Sequence, residues 1–170
     1  MSVRSFTYCP DCGARLETRI QEERPRDYCP VCKRFHYQQL KVGAGAVIVS
    51  DGRLLLLQRS AAPFRGSWNL PAGYVEADES PYHAVVREVS EEVGLSVEVE
   101  RLLEVYYFDD DPRGNGILIV FQCRIVSGEI GVSSEAQAAQ FFAPEELPEE
   151  LAGGGHDRAV NAWARYNSSP

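Results

Sequence analysis

The sequence predicts an α/β fold preceded by a small metal-folded ribbon, and three observations carry that prediction. Two Cys-x2-Cys pairs, Cys9/Cys12 and Cys29/Cys32, stand near the start with sixteen residues between them. Two strand-length apolar runs, residues 43–50 and 53–59, are joined by Asp51-Gly52. A helical pattern over 81–93 lies between Ser80-Pro81 and Gly94, and further apolar runs and a C-terminal helical pattern follow it. Strand, strand, helix, strands, helix is an α/β order.

The first element, residues 1–38, has zinc-ribbon spacing. Each Cys pair can set two thiolates on one metal through a tight turn. Gly13 follows the first pair where a left-handed backbone is often needed, whereas Lys33 must manage the second turn without glycine. Residues 16–27 are polar and offer too little apolar surface for a core, so the metal supplies much of the folding energy. Structural zinc is the expected ion, with iron in the same tetrathiolate geometry as the alternative. Four thiolates leave no open coordination position, which makes this metal structural. His36, four residues past Cys32, is a spare donor. The fifth cysteine, Cys123, lies in an apolar run and reads as an inert buried thiol.

The remaining elements belong to a second domain, residues 39–170. Residues 43–50 form a buried strand, Asp51-Gly52 a turn and residues 53–59 its hairpin partner. Gly43 and Gly45 lack the following helix and third glycine of a dinucleotide fingerprint. A turn-rich loop, 60–67, leads to Trp68 and Gly73. The helix over 81–93 takes Ser80 as N-cap, Pro81 in its first turn and Gly94 as its stop. Strands follow at 97–108 and 117–126 around an exposed connection, 109–116, with a last strand near 140–143. Two C-terminal helices are expected, a short one over 144–151 and a longer one over 156–166 that turns Val160 and Trp163 to the core.

Composition bounds the function. The 170 residues are 44% hydrophobic and 25% charged, which suits one globular domain with a small appendage. No apolar run approaches the ~18 residues of a membrane helix, and residues 1–8 lack a signal-like stretch. A soluble, cytoplasmic protein without membrane contact is expected. Net charge is −8, divided between +3 over residues 1–41 (eight Lys+Arg, five Asp+Glu) and −11 over the rest (nine against twenty). An acidic body weighs against long nucleic acids as partners, since their affinity rests on basic surface. It suits a site that gathers divalent cations for a phosphate-bearing small molecule.

The chemistry is concentrated in the helix over 81–93. Glu88, Glu91 and Glu92 fall within one arc at i, i+3 and i+4, and the neighbouring arc of valines would bury against a core. Residues 73–95 also match every defined position of G-x5-E-x7-R-E-U-x-E-E-x-G-U, with U aliphatic: Gly73, Glu79, Arg87, Glu88, Val89, Glu91, Glu92, Gly94 and Leu95. This segment resembles the Nudix box, and with the ribbon the resemblance covers nearly the whole chain.

The resemblance implies a mixed sheet between helices, and an enzyme that hydrolyses the pyrophosphate of a nucleoside diphosphate linked to another moiety. Magnesium or manganese would be held by Glu88, Glu92 and Glu91, with a backbone carbonyl near Gly73. Carboxylate oxygens suit hard cations that neutralise a diphosphate and acidify water. Arg87 would orient Glu79 or Glu91. Glu135 is nominated as general base, with Glu91 second. Arg59 and Arg65 are candidate phosphate contacts, and Trp68 and Tyr74 candidate base platforms, with Phe64 and residues 106–108 as further aromatic choices.

Ribbon-bearing ADP-ribose, FAD and NADH pyrophosphatases are the similar enzymes. Residues 96–114 hold no S-Q-P-W-P-F-P-x-S element of the NADH type, which favours ADP-ribose or FAD, split to AMP. Removal of damaged nucleoside triphosphates is an alternative reading. A nucleotide-sensing or RNA-binding regulator without activity is another, although it has no need of the three acids together. Similar enzymes are commonly dimers, which makes a homodimer possible.

Overall fold

The computed structural model describes residues 6–168. These residues divide into two compact units, one ending at Leu40 and the other beginning at Lys41. In the first, β1 (Glu17–Gln21), β2 (Arg24–Cys29) and β3 (Arg34–His36) form an antiparallel sheet. The two Cys knuckles turn alike: Gly13 has φ 74° after the first and Lys33 has φ 55° after the second. A lysine therefore adopts the left-handed conformation that glycine provides in the first knuckle, at the steric cost of its Cβ.

In the second unit the chain runs through β4 (Lys41–Ser50), β5 (Arg53–Arg59), β6 (Trp68–Asn69), β7 (Ala72–Tyr74), α1 (Pro81–Val93), β8 (Ser96–Phe108), β9 (Gly116–Ser127), β10 (Ala136–Phe142) and α2 (His156–Asn167). The main path of the sheet is β10-β5-β4-β9-β8, with β6 beside β5 and β7 beside β4. Strands β4 and β9 run parallel and the other pairs antiparallel, so the sheet is mixed. Alternation along β4 and β5 serves two cores. Ala44, Ala46, Ile48, Leu55 and Leu57 meet Val85, Val89 and Val93 of α1. Val47, Leu54 and Leu56 meet Val160 and Trp163 of α2. Both faces are covered, which is why residues 54–57 read as an unbroken leucine run. The result is an α/β/α sandwich.

The α1 boundaries follow their local chemistry. Ser80 Oγ accepts from His83 N at 3.3 Å, Pro81 opens the helix, and Gly94 closes it at φ 72° with its N–H on Ser90 O. Cys123 is buried, as read from its apolar run. Two expectations are corrected. The last strand begins at Ala136, four residues early, because β10 pairs along the length of β5 from Ala136↔Arg59 through a bulge; cross-strand pairing overrides the weak strand preference of Ala-Gln-Ala-Ala. The short helix over 144–151 is only a 3-10 turn, Pro144–Glu146. Pro148 forces Leu147 out of the helical region, to ψ 137°.

Candidate active site

Burial of the valine stripe fixes the rotation of α1 and brings its acids out beside β7. Glu88 and Glu92 line a cleft of about 310 Å³, together with Gly73, Glu91 and Glu135. A Cβ on Gly73 would lie 2.1 Å from the carboxyl carbon of Glu88, so the carboxylate rests directly on the Gly73 backbone. Glu92 is 8% exposed and accepts from Ala72 N at 2.8 Å. Burial pushes its pKa up to about 8; Glu88 and Glu135 add to the rise and the Ala72 N–H opposes it. Glu88 is also raised by burial, against the pull of Arg87.

Arg87 organises the mouth of the cleft. Its Nε and Nη2 bond both oxygens of Glu79 at 3.1 and 2.6 Å, Nη1 reaches Glu88 at 2.7 Å and Glu91 at 3.1 Å, and Nη2 also donates to Tyr74 O at 3.1 Å. The paired guanidinium holds Glu79 down at about 2, helped by the Glu76 N–H. Arg87 is thus tied to four residues of one segment.

Among the described residues, three or more ligand atoms converge within 4.8 Å only in the ribbon. The acids of α1 share a cleft without that convergence, and Arg87 bonds two of them, Glu88 and Glu91. This donor set fits Mg²⁺, which keeps several waters and takes one or two carboxylates. Burial beside Glu88 and Glu135 favours a proton on Glu92, which a bound cation would displace.

The other predicted residues divide. Arg59 lines the cleft; its Nε donates to Pro63 O at 3.1 Å. Tyr74 lines it too, under Arg113 at 5.4 Å and Lys41 at 5.1 Å. Glu135 is exposed, with its carbonyl anchored by Ser60 N at 3.0 Å. Phe64 and Phe108 also line the cleft. Arg65 does not reach it and lies exposed on the preceding loop. Trp68 is turned away because its pairing with Gln58 sets the indole against Phe142 at 4.8 Å, in the core under α2.

Asp111, Arg113 and His156 enter the cleft without having been nominated by the sequence. No spacing motif links them to the box. The one available signal was Gly153-Gly154-Gly155 before a helix. A larger cavity of about 960 Å³ between α2 and β8–β9 contains one carboxylate, Glu104, and no acid cluster.

In the ribbon, Cys12 and Cys29 sulfurs are 3.6 Å apart and Cys9 and Cys32 sulfurs 4.0 Å. A tetrahedron with Zn–S bonds of ~2.3 Å has edges of roughly 3.8 Å, so the four thiols have structural-zinc geometry. His36 Nε2 lies 3.3 Å from Cys9 Sγ, and Cys9, Asp11 and His36 form a second close donor set.

The profile described as "NUDIX domain" matches residues 39–163, and the zinc-ribbon profile described as "Nudix N-terminal" matches residues 7–38. The chain belongs to the Nudix hydrolase family. As such it is a pyrophosphatase acting on phosphoanhydride bonds. This Nudix chain is 37% identical to an ADP-ribose pyrophosphatase of Methanocaldococcus jannaschii, over 92% of its own length and 89% of the relative's. It is also 37% identical to a NAD-capped RNA hydrolase, NudC, of Pseudomonas aeruginosa, over 86% of its length but only 51% of that relative's. A NUDIX hydrolase structure from Nitrosomonas europaea superposes with a TM-score of 0.81 at 30% identity, covering 97% of this chain and 95% of the other.

The kinship with NAD-capped RNA hydrolases corrects the reading of the acidic body as weighing against nucleic acid. Net charge bears on affinity for a long polyanion, and an acidic average says little about a single phosphate-bearing terminus. Among the described residues no helix is long and apolar enough to cross a membrane.

Proposed function

We propose that this Nudix hydrolase uses Mg²⁺ or Mn²⁺ to cleave the pyrophosphate of a nucleoside diphosphate linked to another group, ADP-ribose first and FAD next, releasing AMP. The observation that supports this most is the placing of Glu88 and Glu92, with the Gly73 backbone, in one cleft that also carries Arg59. The kinship with the ADP-ribose pyrophosphatase, matched along nearly its whole length, supports the substrate.

Glu88, Glu92 and the Gly73 carbonyl would hold the cation, with Glu91 at the mouth. The bound cation supplies charge neutralisation at the diphosphate and a lowered pKa for water. Arg87 and Glu79 position the carboxylates. Glu135, exposed at the cleft, is placed to accept a proton from the attacking water, and Arg59 to contact phosphate. The ribbon, residues 1–38, is a module folded on zinc ahead of the catalytic domain, residues 39–170.

A second reading, cleavage at the NAD cap of an RNA, is supported by the capped-RNA hydrolase relatives. One face of the ribbon sheet also favours it: Arg19 stacks on Tyr28 at 3.7 Å and Arg26 stands over Tyr37 at 5.0 Å. Arginine and aromatic rings together make a platform for single strands.

A hydrolysis screen with Mg²⁺ over ADP-ribose, FAD, NADH, NAD-capped RNA and oxidised triphosphates, analysed by product, tests both readings. AMP from ADP-ribose or FAD supports the first, and preferential decapping supports the second. Pyrophosphate released from a triphosphate would overturn both.

A further inference from the structure

The turn before α2 has the make-up of an anion site. Gly154 and Gly155 have φ of 72° and 90°, and Gly155 caps a 12-residue helix with no side-chain cap. Of the first N–H groups, Asp157 donates to Ala152 O at 3.1 Å and Ala159 to Gly155 O. Those of Gly155, His156 and Arg158 have no protein acceptor among the described residues. A helix start with free N–H groups carries partial positive charge and accommodates phosphate.

A second, independent observation points to a ligand. His156 lines the cleft, and its Nδ1 is buried with no hydrogen-bond partner among the described residues. Buried polar atoms are normally satisfied, so an orphan in a cleft wall marks a missing donor or acceptor. The surroundings have the matching sign. Among the described residues Arg59 bonds only through Nε, to Pro63 O, and its terminal nitrogens have no protein partner. Arg113 lines the same cleft, gripped by Asp111 at 2.6 to 3.1 Å. Burial, then Arg59 and Arg113, pull His156 down to about 4, so it stays a neutral hydrogen-bonding group. The turn is fixed from outside the cleft by Asp110, which accepts from Gly154 N at 3.0 and 3.2 Å. A Cβ on Gly153 would strike that carboxylate at 2.1 Å.

We propose that the first turn of α2, His156, Arg59 and Arg113 form a phosphate subsite for the half of the diphosphate that is not attacked, in the same cleft as the carboxylates. It rests on the hydrolase reading above. The cleft holds these groups as well as Glu88 and Glu92, so a diphosphate spanning both sets has its two phosphates distinguished. The phosphate beside Glu88 and Glu92 is the one open to water.

The test uses the full chain, labelled with ¹⁵N, titrated with inorganic pyrophosphate in magnesium-free buffer. Saturable shifts are expected at the amides of Gly155, His156 and Arg158. His156→Leu should weaken them about tenfold and raise KM for ADP-ribose about tenfold with kcat changed less than about threefold, and His156→Gln should restore most of both. Unmoved wild-type amides in that turn, or equal pyrophosphate affinity in a folded His156→Leu, would overturn the subsite. Should His156→Leu not fold, the wild-type titration alone decides. Pyrophosphate bound at α2 by a chain that hydrolyses no nucleoside diphosphate keeps the subsite and removes the activity; hydrolysis without those shifts does the reverse.

Discussion

The carboxylate of Glu88 occupies the space that a side chain on Gly73 would need, with the glycine's ideal Cβ position 2.1 Å from the carboxyl carbon. The first residue of the box is therefore a glycine for contact rather than for turn geometry. Gly73→Ala should fold, because the obstacle is the end of one side chain, but Glu88 should be displaced. Hydrolysis is expected to fall by on the order of 10- to 100-fold, as for groups that orient metal ligands, with Tm changed by only a few degrees. Steady-state kinetics beside a thermal melt check it.

Arg87 is predicted to act through the acids it holds. Arg87→Lys keeps the charge but cannot span Glu79, Glu88 and Glu91 from one planar fork, so activity should drop about 10- to 100-fold. The loss should appear mainly as weaker Mg²⁺ activation, with KM for the nucleotide little changed. A metal titration of the variant at fixed substrate measures this.

Much of this site was legible because it is local. Ser80, Pro81 and Gly94 define α1 by chemistry within a few residues, and the helical period then determines which acids share a face. The rest depended on contacts distant in sequence. Ala136 to Ala139 become a strand only by pairing with β5, and Trp68 is turned into the core by two residues of β6 pairing. Arg113 reaches the cleft from the β8–β9 connection and His156 from the start of α2, so no spacing announces them. Net charge, an average, hid a cleft lined by arginines as well as acids.

The raised pKa of Glu92 makes both stability and metal affinity depend on pH. Its ordinary value is near 4.5 and its folded value about 8. Between these the folded chain binds a proton that the unfolded chain does not, so metal-free stability should fall as pH rises from about 5 to 8. Glu92→Gln should flatten that slope. Protons compete with the cation over the same window, so Mg²⁺ should bind about 50-fold more weakly at pH 6 than at pH 8. Denaturant melts and calorimetric Mg²⁺ titrations at the two pH values provide the readings.

Zinc removal should act on the ribbon. Elemental analysis is expected to give about one zinc per chain, and a thiol-competing chelator should collapse the amide dispersion of residues 6–40 while a structural tetrathiolate site is emptied. Cys29→Ser should produce the same loss without chelator, because its sulfur is fully buried among the other three. Retained dispersion in the zinc-free chain would show that the three strands stand without metal.

The central claim is that Glu88 and Glu92 hold a divalent cation for hydrolysis of a nucleoside diphosphate. The most direct measurement is AMP release from ADP-ribose with and without Mg²⁺, by the wild-type chain and by Glu92→Gln. The account predicts Mg²⁺-dependent AMP formation that falls more than about 100-fold in the variant. Equal rates in wild type and Glu92→Gln, or AMP formation indifferent to Mg²⁺, would contradict it.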